Sequence, residues 1–313
     1  MKLKVGTKAP LVTGPLLIEG VTRAGKFLLA NLVNGFEDIE PVQYYGLMED
    51  LPYLVRFGFV DREVAKQILQ CEVDTHCYEM LIGRNFNHRV SDKSSIFNVP
   101  KSERFLKRST GPDGDVAVEY FRKHHLFSLF IAHETMANIG IYFETFPKLK
   151  VMHIERNPID LAYSWYKRGL GKRWRADPIL FQIPMHHKDG PVPWFAYEWL
   201  DEYHRLSEMD RVIRSITSIW KYGDATYKAL PTAEQKRILF FKFEEIVAQP
   251  KKELERMEKF LGKKQMPGMS KILKRERLPS VTGPNDLQKA RETIEKLGTK
   301  KYVQELFTLA EKY

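Results

Sequence analysis

Apolar residues in this chain follow two rhythms. Short apolar runs at Leu16–Glu19, 126–132, 151–155 and 237–243 read as strands of a buried sheet. Between them, apolar positions fall at helical spacing, as with Leu28, Leu29, Leu32 and Val33 in 25–34. Further helices are predicted over 42–57, 61–69 (capped by Asp61), 136–143, 157–168 and 251–261. A long helical stretch is expected over 194–230, with a break near 207–210, and two helices close the chain. The stretches 83–100, 109–115, 169–193 and 278–286 are polar or rich in Gly and Pro, and read as loops. Strands alternating with helices predict an α/β fold, a parallel sheet of four to five strands flanked by helices. The 313 residues are expected to form a single α/β domain with mainly helical insertions at about 36–123 and 194–230. There is no internal repeat and no low-complexity segment.

The junction between the first strand and first helix carries the strongest chemical signal. After Leu16–Glu19 the chain reads Gly20-Val-Thr-Arg-Ala-Gly-Lys26 and enters the helix. A glycine-bracketed turn of this kind aims backbone N–H groups and a helix N-terminus at one point, which makes an anion site. Arg23 and Lys26 add two cations, and the anion expected is a phosphate. The glycine and lysine spacing is that of a Walker A loop, but the next residue is Phe27 where that loop needs Ser or Thr for Mg²⁺. No metal is expected here.

A second junction repeats the theme. The strand 151–155 ends at Arg156, Asn157-Pro158 opens a helix, and Ser164 lies eight residues after Arg156, about two helical turns away. An arginine at a strand's end and a hydroxyl on the adjoining helix can converge on one phosphate, which the planar guanidinium grips by two bonds.

The formal net charge of +10 favours anionic substrates or polyanionic partners. Charged residues at 29% and apolar ones at 43% exclude a disordered chain. Cys71 and Cys77 match no metal or redox spacing. No apolar run has the length of a signal peptide or membrane span, so a soluble, cytoplasmic protein is expected.

Taken together and in this order, the two motifs resemble the sulfotransferases that use 3′-phosphoadenosine-5′-phosphosulfate (PAPS). A third segment, 238–262, is similar to that family's late strand and helix ending Phe-Leu-Gly, with Phe243 in place of a tyrosine. The resemblance implies a P-loop-like sheet of the sulfotransferase and nucleotide-kinase type, with PAPS as co-substrate and PAP as product. It implies that Arg23, Ala24, Gly25, Lys26 and Phe27 cradle the 5′-phosphosulfate, and that Arg156 and Ser164 hold the 3′-phosphate. Ala24, Lys26 and Phe27 depart from the family's Ser-Thr-Thr, and Lys26 is expected to supply by charge what the missing hydroxyls supplied. Arg23 and Lys26 are then expected to stabilise the leaving phosphate.

Sulfuryl transfer also needs a base for the acceptor's proton. His133 ends the strand at 126–132, where the family carries a Lys-Thr-His whose histidine is the base. Other branches use a glutamate on the segment after the first loop, a part that Glu40 (in Glu37-Asp-Ile-Glu-Pro41) or Glu49 could play, and Glu134 is a further alternative base. The polar loop 83–95 and the basic segment with His186 and His187 are candidate acceptor contacts. Charge and the polar loop lean towards a carbohydrate or polysaccharide acceptor, with no nucleic acid as partner. Two other readings are an atypical P-loop kinase, favoured by Lys26 and opposed by Phe27, and a non-catalytic polyanion-binding protein.

Overall fold

The computed structural model describes residues 3–175, 177–280 and 284–313. Its strands are β1 (Leu16–Glu19), β2 (Gln43–Tyr44), β3 (Leu129–Ile131), β4 (Lys150–Glu155), β5 (Met185–His187), β6 (Gly190–Val192) and β7 (Ile238–Lys242). Five of them form one parallel sheet in the order β2-β3-β1-β4-β7, and β5 and β6 form a separate antiparallel hairpin. β1 is central and wholly buried, as expected of a strand covered on both faces.

Alternation assigns the two faces. Leu16, Ile18, Leu129, Ile131, Met152 and Ile154 pack against α1 (Lys26–Val33) and the helix Pro250–Leu261. Leu17, Phe130 and Val151 face the other way, onto α2 (Gly46–Arg56) and α3 (Arg62–Leu81). A third core lies under the helices Pro158–Lys167 and Glu208–Ala229 and the C-terminal helix Lys300–Lys312.

The fold is the parallel, helix-flanked sheet that the sequence pattern predicts. The helix expected over 42–57 begins only at Gly46, because Gln43 and Tyr44 pair with Phe130 and Ile131 as the edge strand β2. α3 starts under the Asp61 cap, which accepts from the Val64 amide, but runs on to Leu81 instead of 69. The loop expected over 169–193 contains the β5–β6 hairpin. The break near 207–210 is real: Ser207 caps the helix Glu208–Ala229 by accepting from the Asp210 amide. The loop expected over 278–286 lies partly outside the described residues. No helix among the described residues is long and apolar enough to cross a membrane.

Candidate functional site

In a parallel sheet every strand ends at the same edge, and there the loops after β1, β3, β4 and β7 meet. Gly20 follows β1 so closely under β4 that a Cβ would collide with the carbonyl oxygen of Ile154. Gly25 precedes α1 with φ 110°, a left-handed conformation that only glycine adopts freely. Between them Ala24 closes the turn by donating to the Val21 carbonyl (2.9 Å), which removes its amide from any ligand. α1 has no side-chain cap, so its first-turn amides remain available, as in an anion-binding helix start. Phe27 packs against the core with Leu28 and Leu29 and presents no oxygen to the loop.

Lys26 does not point outward. It is buried, and its Nζ donates to the carbonyls of Gly20 (2.6 Å) and Val21 (2.9 Å). Burial pulls its pKa below the usual lysine value, against the opposing pull of Glu134, Glu19 and Glu49. Lys26 thus ties the loop together from inside.

The two predicted phosphate motifs converge. Arg23 Nε reaches Ser164 Oγ at 3.4 Å, and Arg156 Nη1 donates to the Arg23 carbonyl at 3.2 Å. Arg156 is also gripped by Asp160 (2.9 and 2.5 Å) and lies over the Phe243 ring, 4.7 Å from its centroid. Trp165, one residue after Ser164, clamps the loop by donating to the Thr22 carbonyl at 2.7 Å. Burial and the like charges of Arg168 and Arg156 pull Arg23 below the usual arginine pKa. A cluster of three guanidiniums with one carboxylate counter-ion among the described residues favours an incoming anion. Arg168 joins it from the end of the helix Pro158–Lys167, a contribution the sequence did not single out.

His133 lies two residues beyond β3 at the same edge. Its amide and its Nδ1 both meet Glu49 Oε1, at 2.7 and 2.5 Å. A carboxylate only accepts, so Nδ1 carries a proton, and in the neutral imidazole Nε2 is then the nitrogen with the lone pair. Tyr44 packs edge-on to the imidazole (5.4 Å between centroids) and donates its hydroxyl to Glu49 Oε2 at 3.2 Å. Glu134, next to His133, is buried and takes the Thr22 amide on Oε1 (2.5 Å) and Gln182 Nε2 on Oε2 (3.3 Å). A carboxylate of the chain itself therefore sits on one of the loop's N–H groups. His133, Glu49, Glu134 and Thr22 line a cavity of about 160 Å³, together with Leu170, Arg173, Trp174 and residues 179–182.

Other candidates go elsewhere. Glu40 is held by Arg108 through two bonds (2.5 and 2.8 Å) beside Phe127, ahead of β3, and so at the opposite edge of the sheet from His133. Glu37 is exposed and its amide bonds the Lys264 carbonyl. The polar loop 83–95 bonds largely to itself, Asn87 to Asp92 and Ser94, Arg89 to Ser91. His187 faces Asp201 from the hairpin.

Below the loop lies a buried ionic triad. Cross-strand register sets Glu19 of β1 opposite His153 of β4, and the carboxylate bonds Nδ1 while Glu155 stands 3.6 Å from Nε2. Burial works against the imidazolium, but Glu19 and Glu155 outweigh it and raise the His153 pKa to about 9, with Lys26 as the nearby cation on Glu19. A raised folded-state pKa contributes stability that is complete below the unfolded value of 6.5 and is lost as pH rises through 9. The urea midpoint is therefore expected to fall between pH 6.5 and 9, and His153→Gln to flatten that slope.

Residues 61–302 match the family model described as the sulfotransferase domain. The matched part includes Arg156 and Ser164 and begins after the glycine loop. The chain is also similar to several solved structures. One is the sulfotransferase domain of the Synechococcus PCC 7002 olefin synthase, at 15% identity over 99% of this chain and 98% of that one, TM-score 0.46. Another is the sulfotransferase domain from the curacin biosynthetic pathway, at 12% over 97% and 99%, TM-score 0.47. A third is a sulfotransferase from Alicyclobacillus acidocaldarius, at 12% over 95% and 96%, TM-score 0.38. No curated protein matches the chain.

Proposed function

The chain belongs to the sulfotransferase family, and on that premise we propose that it transfers a sulfuryl group from PAPS to an acceptor hydroxyl. The observation that carries this reading is the meeting of Arg23, Arg156 and Ser164 at the strand edge that also holds the His133–Glu49 pair. The residues fit a two-phosphate nucleotide. The uncapped amides of α1 and Arg23 suit the 5′ end, and Arg156, Ser164 and Arg168 suit the 3′-phosphate. Bound PAPS supplies an activated sulfuryl group and a phosphate leaving group.

The chain's own residues do the rest. His133 Nε2 accepts the proton of the acceptor hydroxyl as the acceptor oxygen bonds sulfur and the bond from sulfur to the 5′-phosphate oxygen breaks, its electron pair leaving with PAP. Glu49 holds the imidazole in the required tautomer and steadies the imidazolium, as an orienting carboxylate does in a hydrolase triad. Arg23 and the loop amides receive the charge that grows on the leaving phosphate. Lys26 acts from beneath, by keeping the loop carbonyls turned away from the anion. Glu134 accepts from the Thr22 amide and so ties the loop to the strand edge that carries His133. With both its oxygens engaged, Glu134 is a weaker base candidate than His133.

A thermal-shift titration tests the cofactor. PAP at 100 times its Kd is expected to stabilise the protein by about 2.7 kcal/mol, with a much smaller shift from ATP at the same concentration. Equal shifts from both ligands would count against the 3′-phosphate clamp and for the kinase reading.

A further inference from the structure

The cavity beside His133 has a polar floor and apolar walls. The floor groups already answer one another: Tyr44 donates to Glu49, Gln182 to Glu49 and Glu134, and the Thr22 amide to Glu134. Arg173, the one Lys or Arg side chain among the described lining residues, is paired with Asp177 at 2.6 Å. Among the described residues His133 Nε2 has no hydrogen-bond partner, so it is open to an acceptor hydroxyl. The walls are Trp165, Leu170, Trp174, Leu180, Phe181 and Phe195.

The rim continues this apolar character into solvent. Ile179 and Phe181 line the cavity yet are 61% and 68% exposed, and Ile183 is 47% exposed. The segment is tied down at its end. The Ile183 amide donates to Asp50 (3.2 Å), its carbonyl accepts from Tyr53 (2.6 Å), and Gln182 reaches Glu49 and Glu134. Neighbouring exposed apolar side chains at the mouth of a cavity mark a surface that meets an apolar partner.

We infer that the acceptor is an alcohol with an apolar body, a long-chain alkyl alcohol and not a saccharide. Its hydroxyl end enters the cavity while its chain leaves across Ile179, Phe181 and Ile183. The inference rests on the sulfotransferase reading above. A cavity of about 160 Å³ is smaller than the ~300–1,000 Å³ that encloses a whole ligand, so only the reacting end is taken in. A sugar ring there would leave its remaining hydroxyls against aromatic walls without partners, which polar groups leaving water do not tolerate.

The test uses the purified chain with PAPS and two acceptor series: 1-butanol through 1-decanol, and glucose, glucosamine and cellobiose. kcat/KM is expected to rise about fourfold per buried methylene until the chain outruns the ridge, with the saccharides below 1-butanol. The double variant Ile179→Ser, Phe181→Ser is expected to flatten that dependence with PAP affinity unchanged. Saccharides turned over faster than the alkanols, or rates independent of chain length, overturn the inference. PAP binding measured alongside separates the two levels. If PAP fails to bind, the sulfotransferase reading falls and takes the inference with it. If PAP binds and no alkanol is sulfated, the acceptor inference alone has failed.

Discussion

Replacing His133 by alanine is expected to lower kcat by about 10²- to 10⁴-fold while the Kd for PAP stays within about twofold. The size follows from the role: a positioned base contributes only when the acceptor proton moves, and the imidazole makes no contact with the guanidinium cluster that would hold the nucleotide. Glu49→Gln supplies the graded companion. A glutamine can present its amide nitrogen to Nδ1, which stabilises the wrong tautomer and leaves Nε2 protonated, so activity is expected to fall although the packing is kept. The measurement is steady-state turnover beside calorimetric PAP binding. Near-normal turnover in His133→Ala moves the base to Glu134. A parallel loss of PAP affinity makes the histidine structural.

The second large effect is on binding. Arg156→Ala is expected to weaken PAP by about 10- to 150-fold, the equivalent of one hydrogen bond to a charged group at about 1.5–3 kcal/mol. Binding of adenosine 5′-phosphate, which lacks the 3′-phosphate, should change little. The contrast between the two nucleotides is the readout, because general damage to the site lowers both. Arg156→Lys is expected to fall between wild type and alanine, since it keeps the charge and loses the planar fork that meets Asp160 and lies over Phe243. Equal losses for both nucleotides would remove Arg156 from the 3′-phosphate.

How much of this was legible in the sequence depends on distance along the chain. The glycine loop and the Arg156–Ser164 pair were readable because each lies within one strand–helix junction, where local geometry fixes the outcome. That the two junctions meet was implied only by their order. The His133–Glu49 pair joins residues 84 positions apart, and no local pattern distinguishes Glu49 from Glu37 or Glu40. What separates them is the edge of the sheet each reaches: Glu40 precedes β2 and Glu49 follows it, in the first turn of α2. A two-residue edge strand inside a helical pattern carries too little periodicity to be seen, and with it went the signal that places Glu49. Lys26 is hard to place from sequence for a related reason. Its charge suggested an outward grip, whereas the turn between Gly20 and Gly25 directs it under the loop.

The position of β1 sets the order in which this protein can be built. Its two neighbours in the sheet are β3 and β4, whose residues leave the ribosome more than a hundred positions after Glu19. Until they arrive, a strand with apolar side chains on both faces has no partner for its backbone, and the glycine loop that follows it has no frame. Closing so long a segment costs entropy before any pairing repays it, which makes folding slow and leaves the nascent chain open to misassociation. Yield on expression is therefore expected to depend on protection of the first hundred and fifty residues during synthesis, and the glycine loop gains its frame only once β4 has docked.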